Sequence, residues 1–131
     1  MVEIKGNPAD IARTFIAWLS EKHPVAKDVV YVFEEKEYIR YGGTNNKGVA
    51  YYNETGPAKI RIANVITQKK YGLFFHLRTL AHEYRHILQR YRDNLTYRGG
   101  HDQALEIDAI EFANKEVYAA LEAGIVDVTH Y

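Results

Sequence analysis

The sequence predicts one α+β domain over residues 1–131, with a helix first, a small sheet next and two long helices last. Three observations support this order. Apolar residues near the N-terminus recur with the period of a helix, and runs of β-branched and aromatic residues separated by turn formers fill the middle third. Helical periodicity then returns from about residue 70. We expect three or four mostly antiparallel strands in the sheet.

The segment NPADIARTFIAWLSEKHP, residues 7–24, has the pattern of an amphipathic helix. Asn7 can cap its N-terminus, Pro8 suits its first turn, and Pro24 follows its end. Its predicted apolar face consists of Ile11, Phe15, Trp18 and Leu19.

Four short runs are predicted as strands. VVYVF (29–33) and YIRYG (38–42) are joined by the charged turn EEKE. GVAYYNE (48–54) and AKIRIANV (58–65) follow a connection rich in glycine and asparagine, and TGP separates them.

Two helices are predicted after the sheet. The segment RDNLTYRGGHD interrupts the first, and the second, roughly residues 102–123, ends before Gly124, which suits a helix C-terminus. The first has a long apolar stripe made of Leu73, Leu77, Leu80, Tyr84, Ile87, Leu88 and Tyr91.

Composition excludes several classes of site and partner. The chain has no cysteine, so any metal must be held by His, Asp or Glu. Lys and Arg number 17, as do Asp and Glu, so the charge gives no basis for binding nucleic acid. No apolar run suits a membrane span, and the N-terminus lacks a signal-peptide pattern. We expect an intracellular (cytoplasmic) protein that does not bind membranes, and its oligomeric state is not indicated.

The motif HEYRH, residues 82–86, carries the clearest functional signal. On a helix, positions i and i+4 share a face, so His82 and His86 can direct one nitrogen each at a common point. Glu83 is close enough to take a proton from a water at that point. This spacing is typical of zinc hydrolases, in which two imidazoles hold Zn²⁺ and the carboxylate is the general base. The alternative is a solvated helix face, but the apolar neighbours of the motif indicate a largely buried helix.

A catalytic zinc site needs a third protein ligand. Glu106 is favoured because its helical stripe, with Ile110, Ala113 and Val117, is otherwise apolar, and a carboxylate facing a core needs compensation. His101, after two glycines, is the alternative ligand. Asp108 and Glu111 are expected on a solvent face, with support of the two motif histidines as their alternative role.

The pair of motifs resembles a known family. HEYRH, followed twenty residues after His86 by EIDAIEFA, is similar to the HExxH…ExxA(xx)FA pattern of gluzincin metallopeptidases, above all the small ImmA/IrrE-like proteins and the minigluzincins. The resemblance covers roughly residues 57–118. It implies a zincin-like fold, Zn²⁺ bound by His82, His86 and Glu106, and Glu83 as the general base of peptide hydrolysis.

The resemblance also implies how a substrate binds. A peptide or protein would add as a strand along an edge strand before the motif helix, here KIRIAN, near residues 59–64. One departure is Ile110, where larger gluzincins have an aspartate that orients a ligand histidine. A second resemblance, to SprT-like DNA-associated proteases, would make His101 the third ligand, with RYRDNLTYR (90–98) as the contact with DNA.

Two further expectations concern the fourth position of the metal. Peptide hydrolysis needs an electrophile for the developing oxyanion, and Tyr97 and His101 are the candidates. Alternatively, His130 or the terminal carboxylate of Tyr131 fills that position, which would give a latent enzyme or a regulatory binding protein. An ordinary frayed tail is the simpler interpretation of these last residues.

Overall fold

Three helices and six strands are present in the part of the chain that the computed structural model describes, residues 1–66, 71–95 and 103–128. The α+β class is confirmed. In chain order the elements are β1 (Val2–Lys5), α1 (Asp10–Lys22), β2 (Val29–Glu34), β3 (Ile39–Tyr41), β4 (Thr44–Asn46), β5 (Gly48–Tyr51), β6 (Ala58–Ala63), α2 (Gly72–Tyr91) and α3 (Gln103–Glu122).

The main sheet is mixed, so the prediction of a mostly antiparallel sheet is wrong. Its strand order is β1-β2-β6-β5, and both β1–β2 and β2–β6 are parallel, whereas β5–β6 is antiparallel. The connections between the strands explain the parallel pairs. A parallel pair needs a long crossover, which α1 supplies between β1 and β2 and residues 35–57 supply between β2 and β6. The expected pairing of 29–33 with 38–42 does not form, because β3 pairs with β4 in a separate two-stranded sheet.

The position of β6 corrects a second expectation. Residues 59–64 were expected to lie at the sheet edge, but β6 is hydrogen-bonded to β2 on one side and to β5 on the other. The edge on this side of the sheet is β5. Any strand that adds to the sheet near α2 must therefore pair with β5.

The helices follow the predicted apolar patterns closely. Helix α1 begins two residues later than expected, with Ala9 as the N-cap residue and no side-chain cap, so Asn7 and Pro8 precede it. Phe15 and Leu19 are fully buried, while Ile11 and Trp18 are half-buried. In α2 the predicted stripe is buried except for Tyr91, which is half-buried.

The core lies between the sheet and the helices, and α2 packs against both the sheet and α3. Tyr31 of β2 donates a hydrogen bond from its hydroxyl to the carbonyl oxygen of Leu80, at 3.2 Å. This bond connects α2 to the sheet two residues before the HEYRH motif. In residues 1–66, 71–95 and 103–128, no helix has the length and apolar character that crossing a membrane requires. Location inside the cell stays a prediction.

Candidate metal centre

Three side chains from two helices converge at one point. His82 and His86 lie on consecutive turns of α2, and Glu106 lies in the first turn of α3. The Nε2 atoms of the two histidines are 3.2 Å apart. The carboxylate of Glu106 places one oxygen 2.8 Å from Nε2 of His86 and the other 3.3 Å from Nε2 of His82. Sequence spacing predicted this set, and the two helices bring it together.

The donor set suits three of the four positions of a tetrahedral zinc site. Donor atoms about 2.1 Å from a tetrahedral zinc lie about 3.4 Å from one another. The Nε2 atoms are 3.2 Å apart, and two different oxygens of Glu106 lie 2.8 Å and 3.3 Å from them, so each of these distances is close to that value. With one ligand atom taken from each residue, the three donors lie within 4.8 Å of one another. Two imidazoles and one carboxylate are also donors that Zn²⁺ accepts.

Glu106 is more exposed than its helical stripe predicted. Its side chain is 36% exposed, and Ile110 on the same stripe is also exposed, whereas Ala113 and Val117 are buried. The stripe leaves the core towards the N-terminus of α3, where Glu106 lines a cleft shared with β5 and α2. The carboxylate is therefore compensated by the two histidines at the cleft wall rather than by a position inside the core.

The ring of His86 is oriented by Gln89, a residue that sequence reasoning missed. The Gln89 amide donates to the carbonyl oxygen of Leu105 at 3.0 Å and to Oδ2 of Asp108 at 2.7 Å. Both amide hydrogens are thus used, and Oε1 of Gln89 lies 2.9 Å from Nδ1 of His86. Nδ1 must then carry the proton, which leaves the lone pair of Nε2 directed at the centre.

Asp108 lies on a partly exposed face, with its side chain 42% exposed, and it also supports this chain of contacts, which was its alternative role. Nε of Arg85 donates to its carboxylate at 2.7 Å. That hydrogen bond is the main reason why the pKa of Asp108 is lowered, and the Gln89 amide adds to the effect. Glu111 is exposed, as predicted. The sequence does contain an indication of this role, because Gln89 lies three residues after His86 on the same predicted helix. It is 1% exposed, and a buried amide must be hydrogen-bonded.

Glu83 lies beside the three donors in a nearly dry environment. One of its carboxyl oxygens is 3.9 Å from Nε2 of His82, and the residue is 8% exposed. Burial, followed by the negative charge of Glu106, raises its pKa to about 8, and a backbone hydrogen bond from Ala50 of β5 opposes this shift. A cation held by the neighbouring donors would favour the carboxylate form, which is the form a general base requires.

The pKa of His82 is lowered, first by burial and second by the neighbouring His86, while Glu106 acts in the opposite direction. The neutral imidazole is the form that binds a metal. Burial therefore prepares this ring for coordination at neutral pH.

Strand β5 forms one wall of the cleft and approaches α2 closely at Gly48. A Cβ atom at this position would lie 2.8 Å from Cγ2 of Thr79, 3.0 Å from Cγ of Glu83 and 3.1 Å from Cδ1 of Ile62. Only glycine fits without displacement of these atoms. The absence of a side chain at residue 48 thus sets the distance between the sheet edge and Glu83.

The centre opens into two adjoining cavities. The larger, roughly 570 Å³, lies between β5 and the two helices and includes all three donors. The second, roughly 340 Å³, extends along α2 and is lined by Lys47, Arg78, His82, Glu83 and Ile110, among others. Four predicted residues, Tyr97, His101, His130 and Tyr131, lie outside the described residues, so their proposed contacts stay predictions.

Comparisons with protein-family models, with curated proteins and with solved structures gave no match to this chain.

Proposed function

We propose that this protein is a zinc-dependent metallopeptidase with a zincin-like fold and a His₂Glu metal site. The observation that carries the proposal is the convergence of the Nε2 atoms of His82 and His86 with the carboxylate of Glu106, beside the buried carboxyl group of Glu83. The gluzincin resemblance of the two motifs agrees with this arrangement and belongs to the same proposal.

Each residue has a chemical role in the proposed reaction. His82, His86 and Glu106 would hold the zinc ion, whose Lewis acidity would polarise the scissile carbonyl and make water acidic enough to lose a proton near neutral pH. Glu83 takes that proton and later delivers it to the leaving amine. Gln89 keeps the His86 ring in the orientation and tautomer that present Nε2 to the metal.

A peptide substrate is proposed to bind along β5, which replaces the earlier assignment to residues 59–64. Strand β5 ends the sheet on the side of the metal centre, and no strand among the described residues pairs with its outer edge. Its Gly48 and Ala50 contact Glu83 from the same strand. A peptide added there would place its backbone along the larger cavity, close to the general base.

The decisive experiment combines metal analysis with a general-base variant. Purified wild-type protein is expected to contain one zinc ion per chain and to cleave peptides from a mixed library. Glu83→Gln should retain zinc and lose hydrolysis by a factor of at least about 10³, because it removes the proton acceptor but none of the ligands. Zinc content is measured by atomic spectroscopy and cleavage by mass spectrometry. Full activity of Glu83→Gln would refute the mechanism.

Ligand variants identify the third donor. His82→Ala and Glu106→Ala should both lower zinc content, because each removes one of three donors. If zinc is lost in His82→Ala but kept in Glu106→Ala, the third ligand moves to His101 and the His₂Glu assignment is wrong. Glu111→Ala, which changes an exposed carboxylate of the same helix, is the matched control and should bind zinc like the wild type.

A further inference from the structure

Arg78 lies beside the candidate metal centre and takes no part in the proposed reaction. It lies on α2 one turn before His82, it is half-buried, and it lines the smaller cavity together with His82 and Glu83. A molecule that occupies the cavity beside Glu83 would therefore meet this guanidinium.

Among the residues that the structure describes, Arg78 has no acidic partner, whereas several other arginines do. Within residues 1–66, 71–95 and 103–128, no carboxylate forms an ion pair with Arg78, and its buried Nε has no hydrogen-bond acceptor. Four other arginines do pair with acids, in the pairs Arg61–Glu34, Arg85–Asp108, Arg90–Glu54 and Arg92–Asp93.

Two aromatic rings hold the side chain in place. The guanidinium carbon of Arg78 lies 6.0 Å from the ring centroid of Phe74 and 5.4 Å from that of Phe75. Contacts of this kind between a cation and aromatic rings are attractive and limit the freedom of the side chain. A guanidinium that is already ordered loses less conformational entropy when it binds an anion.

We propose that Arg78 binds a carboxylate of the substrate, so that the enzyme acts on peptides with a carboxylate near the scissile bond. This inference rests on the proposed peptidase function and deepens it. A planar guanidinium matches a carboxylate with two parallel hydrogen bonds, and carboxylates are the anions that unmodified peptides carry. The group is either the C-terminal carboxylate of a short peptide or the side chain of Asp or Glu.

The cavity has the charge that this role requires. Its lining includes the basic residues Arg78 and Lys47, and Glu83 is the acidic residue among those that line it. Glu83 accepts a backbone hydrogen bond from Ala50, and within the described residues it forms no ion pair with Arg78. A substrate carboxylate would supply the counter-charge that the described chain does not provide.

Binding to the zinc-loaded protein tests the proposal without requiring turnover. In the Glu83→Gln background, calorimetry compares an N-acetylated alanine peptide with a free C-terminal carboxylate against its C-terminal amide. A second pair of amidated peptides contains either Glu or Gln at one internal position. We expect at least about tenfold tighter binding of the carboxylate form in one pair, and the pair that shows it identifies the source of the carboxylate.

Substitutions assign the preference to Arg78. Arg78→Gln keeps much of the stem over the two phenylalanines and should abolish the preference, while Arg78→Lys should retain part of it. Arg13→Gln removes one positive charge from an exposed position of α1 and should leave the preference unchanged. Thermal unfolding of each variant shows that the fold is kept.

Three results would overturn the proposal. A preference that persists in Arg78→Gln means that the metal, not Arg78, binds the carboxylate. An equal loss of binding for all four peptides means that Arg78 contacts the peptide backbone. If the protein with Arg78 intact binds the carboxylate and neutral peptides equally, the guanidinium only faces solvent. If the Arg78-dependent preference is found but no peptide is ever cleaved, the proposed peptidase function fails and the carboxylate site stands.

Discussion

At the scale of single residues, His76 shows how burial controls protonation near the centre. It is 8% exposed, it lies on α2 between the sheet and a neighbouring apolar cavity, and its ring centroid is 6.2 Å from that of Phe33. In the part of the chain that is described, its Nε2 is buried without a hydrogen-bond partner. Burial, with a smaller contribution from the positive charge of Lys47, lowers its pKa from 6.5 to about 4. The ring is therefore neutral in the folded protein at neutral pH.

This pKa predicts a specific loss of stability in acid. Because the folded-state pKa is depressed, the unfolded chain binds the proton more readily, and stability falls as pH decreases from about 6.5 towards 4. As the pH falls from 7.5 to 5, proton binding by His76 in the unfolded chain should lower the unfolding free energy by about 2 kcal/mol. His76→Phe removes the titration and keeps an aromatic ring, so this variant should lose correspondingly less stability over the same interval.

Urea unfolding of the zinc-free wild type and of His76→Phe at both pH values measures the difference. The comparison cancels the contributions of the other histidines, which both proteins share. Equal pH dependence of the two proteins would show that His76 is not protected from protonation by the fold.

At the scale of elements, the approach of β5 to α2 is the contact that shapes the centre. Gly48→Ala would put a methyl group 3.0 Å from Cγ of Glu83 and 2.8 Å from Cγ2 of Thr79. We expect a loss of about 1–3 kcal/mol in unfolding free energy from overpacking. We also expect at least about a tenfold fall in kcat/KM, since Glu83 must shift. Gly56→Ala is the matched control, because the described atoms nearest to its new methyl group belong to the exposed side chain of Asn53.

Chemical unfolding and peptide cleavage, measured on both glycine variants, separate the two effects. Loss of stability without loss of activity in Gly48→Ala would mean that the strand, not Glu83, moves. No loss of either would show that β5 is not held against α2 at this distance.

The elements also show what the sequence could and could not predict. Helical periodicity predicted α2 and α3, and the spacing within HEYRH predicted which side chains would share a face. The direction of the strands was not predictable from the same patterns, because a run such as VVYVF has the same alternation in a parallel or an antiparallel pair. Strand β1 has four residues, VEIK, and is too short to be recognised without its partner β2. The omission of β1 removed one parallel pair from the predicted sheet, whereas the wrong edge strand came from the unpredicted position of β6 between β2 and β5.

The same limit applies to the candidate centre. The positions of His82, His86 and Glu106 could be predicted because each lies on a regular helix and their spacing has a known chemical use. The contacts of Gln89 with Leu105 and Asp108 depend on how α2 packs on α3, which no local pattern records. Zinc binding by the three donors stays a prediction until metal is measured.

At the scale of the whole molecule, a buried carboxylate connects the first helix to the last. Glu116 of α3 is 1% exposed and accepts hydrogen bonds from Nζ of Lys22 at 2.8 Å and from the ring of His23, Nε2, at 3.0 Å. From α2, the hydroxyl of Tyr84 donates to the carbonyl oxygen of His23 at 2.6 Å. The end of α1 is thus fixed to both helices that carry the candidate metal ligands.

This connection predicts that Lys22→Met lowers the unfolding free energy more than Arg90→Met does. Lys22→Met keeps an apolar stem of similar length but leaves the buried Glu116 with His23 as its remaining partner. It should lower the unfolding free energy by about 2–3 kcal/mol, because a buried carboxylate that loses its cation keeps its desolvation cost. Arg90→Met breaks a pair whose acid, Glu54, is 78% exposed, so it should cost less than about 1 kcal/mol. Urea unfolding at pH 7.5 compares the two, and equal losses would show that Glu116 does not depend on Lys22 for its charge compensation.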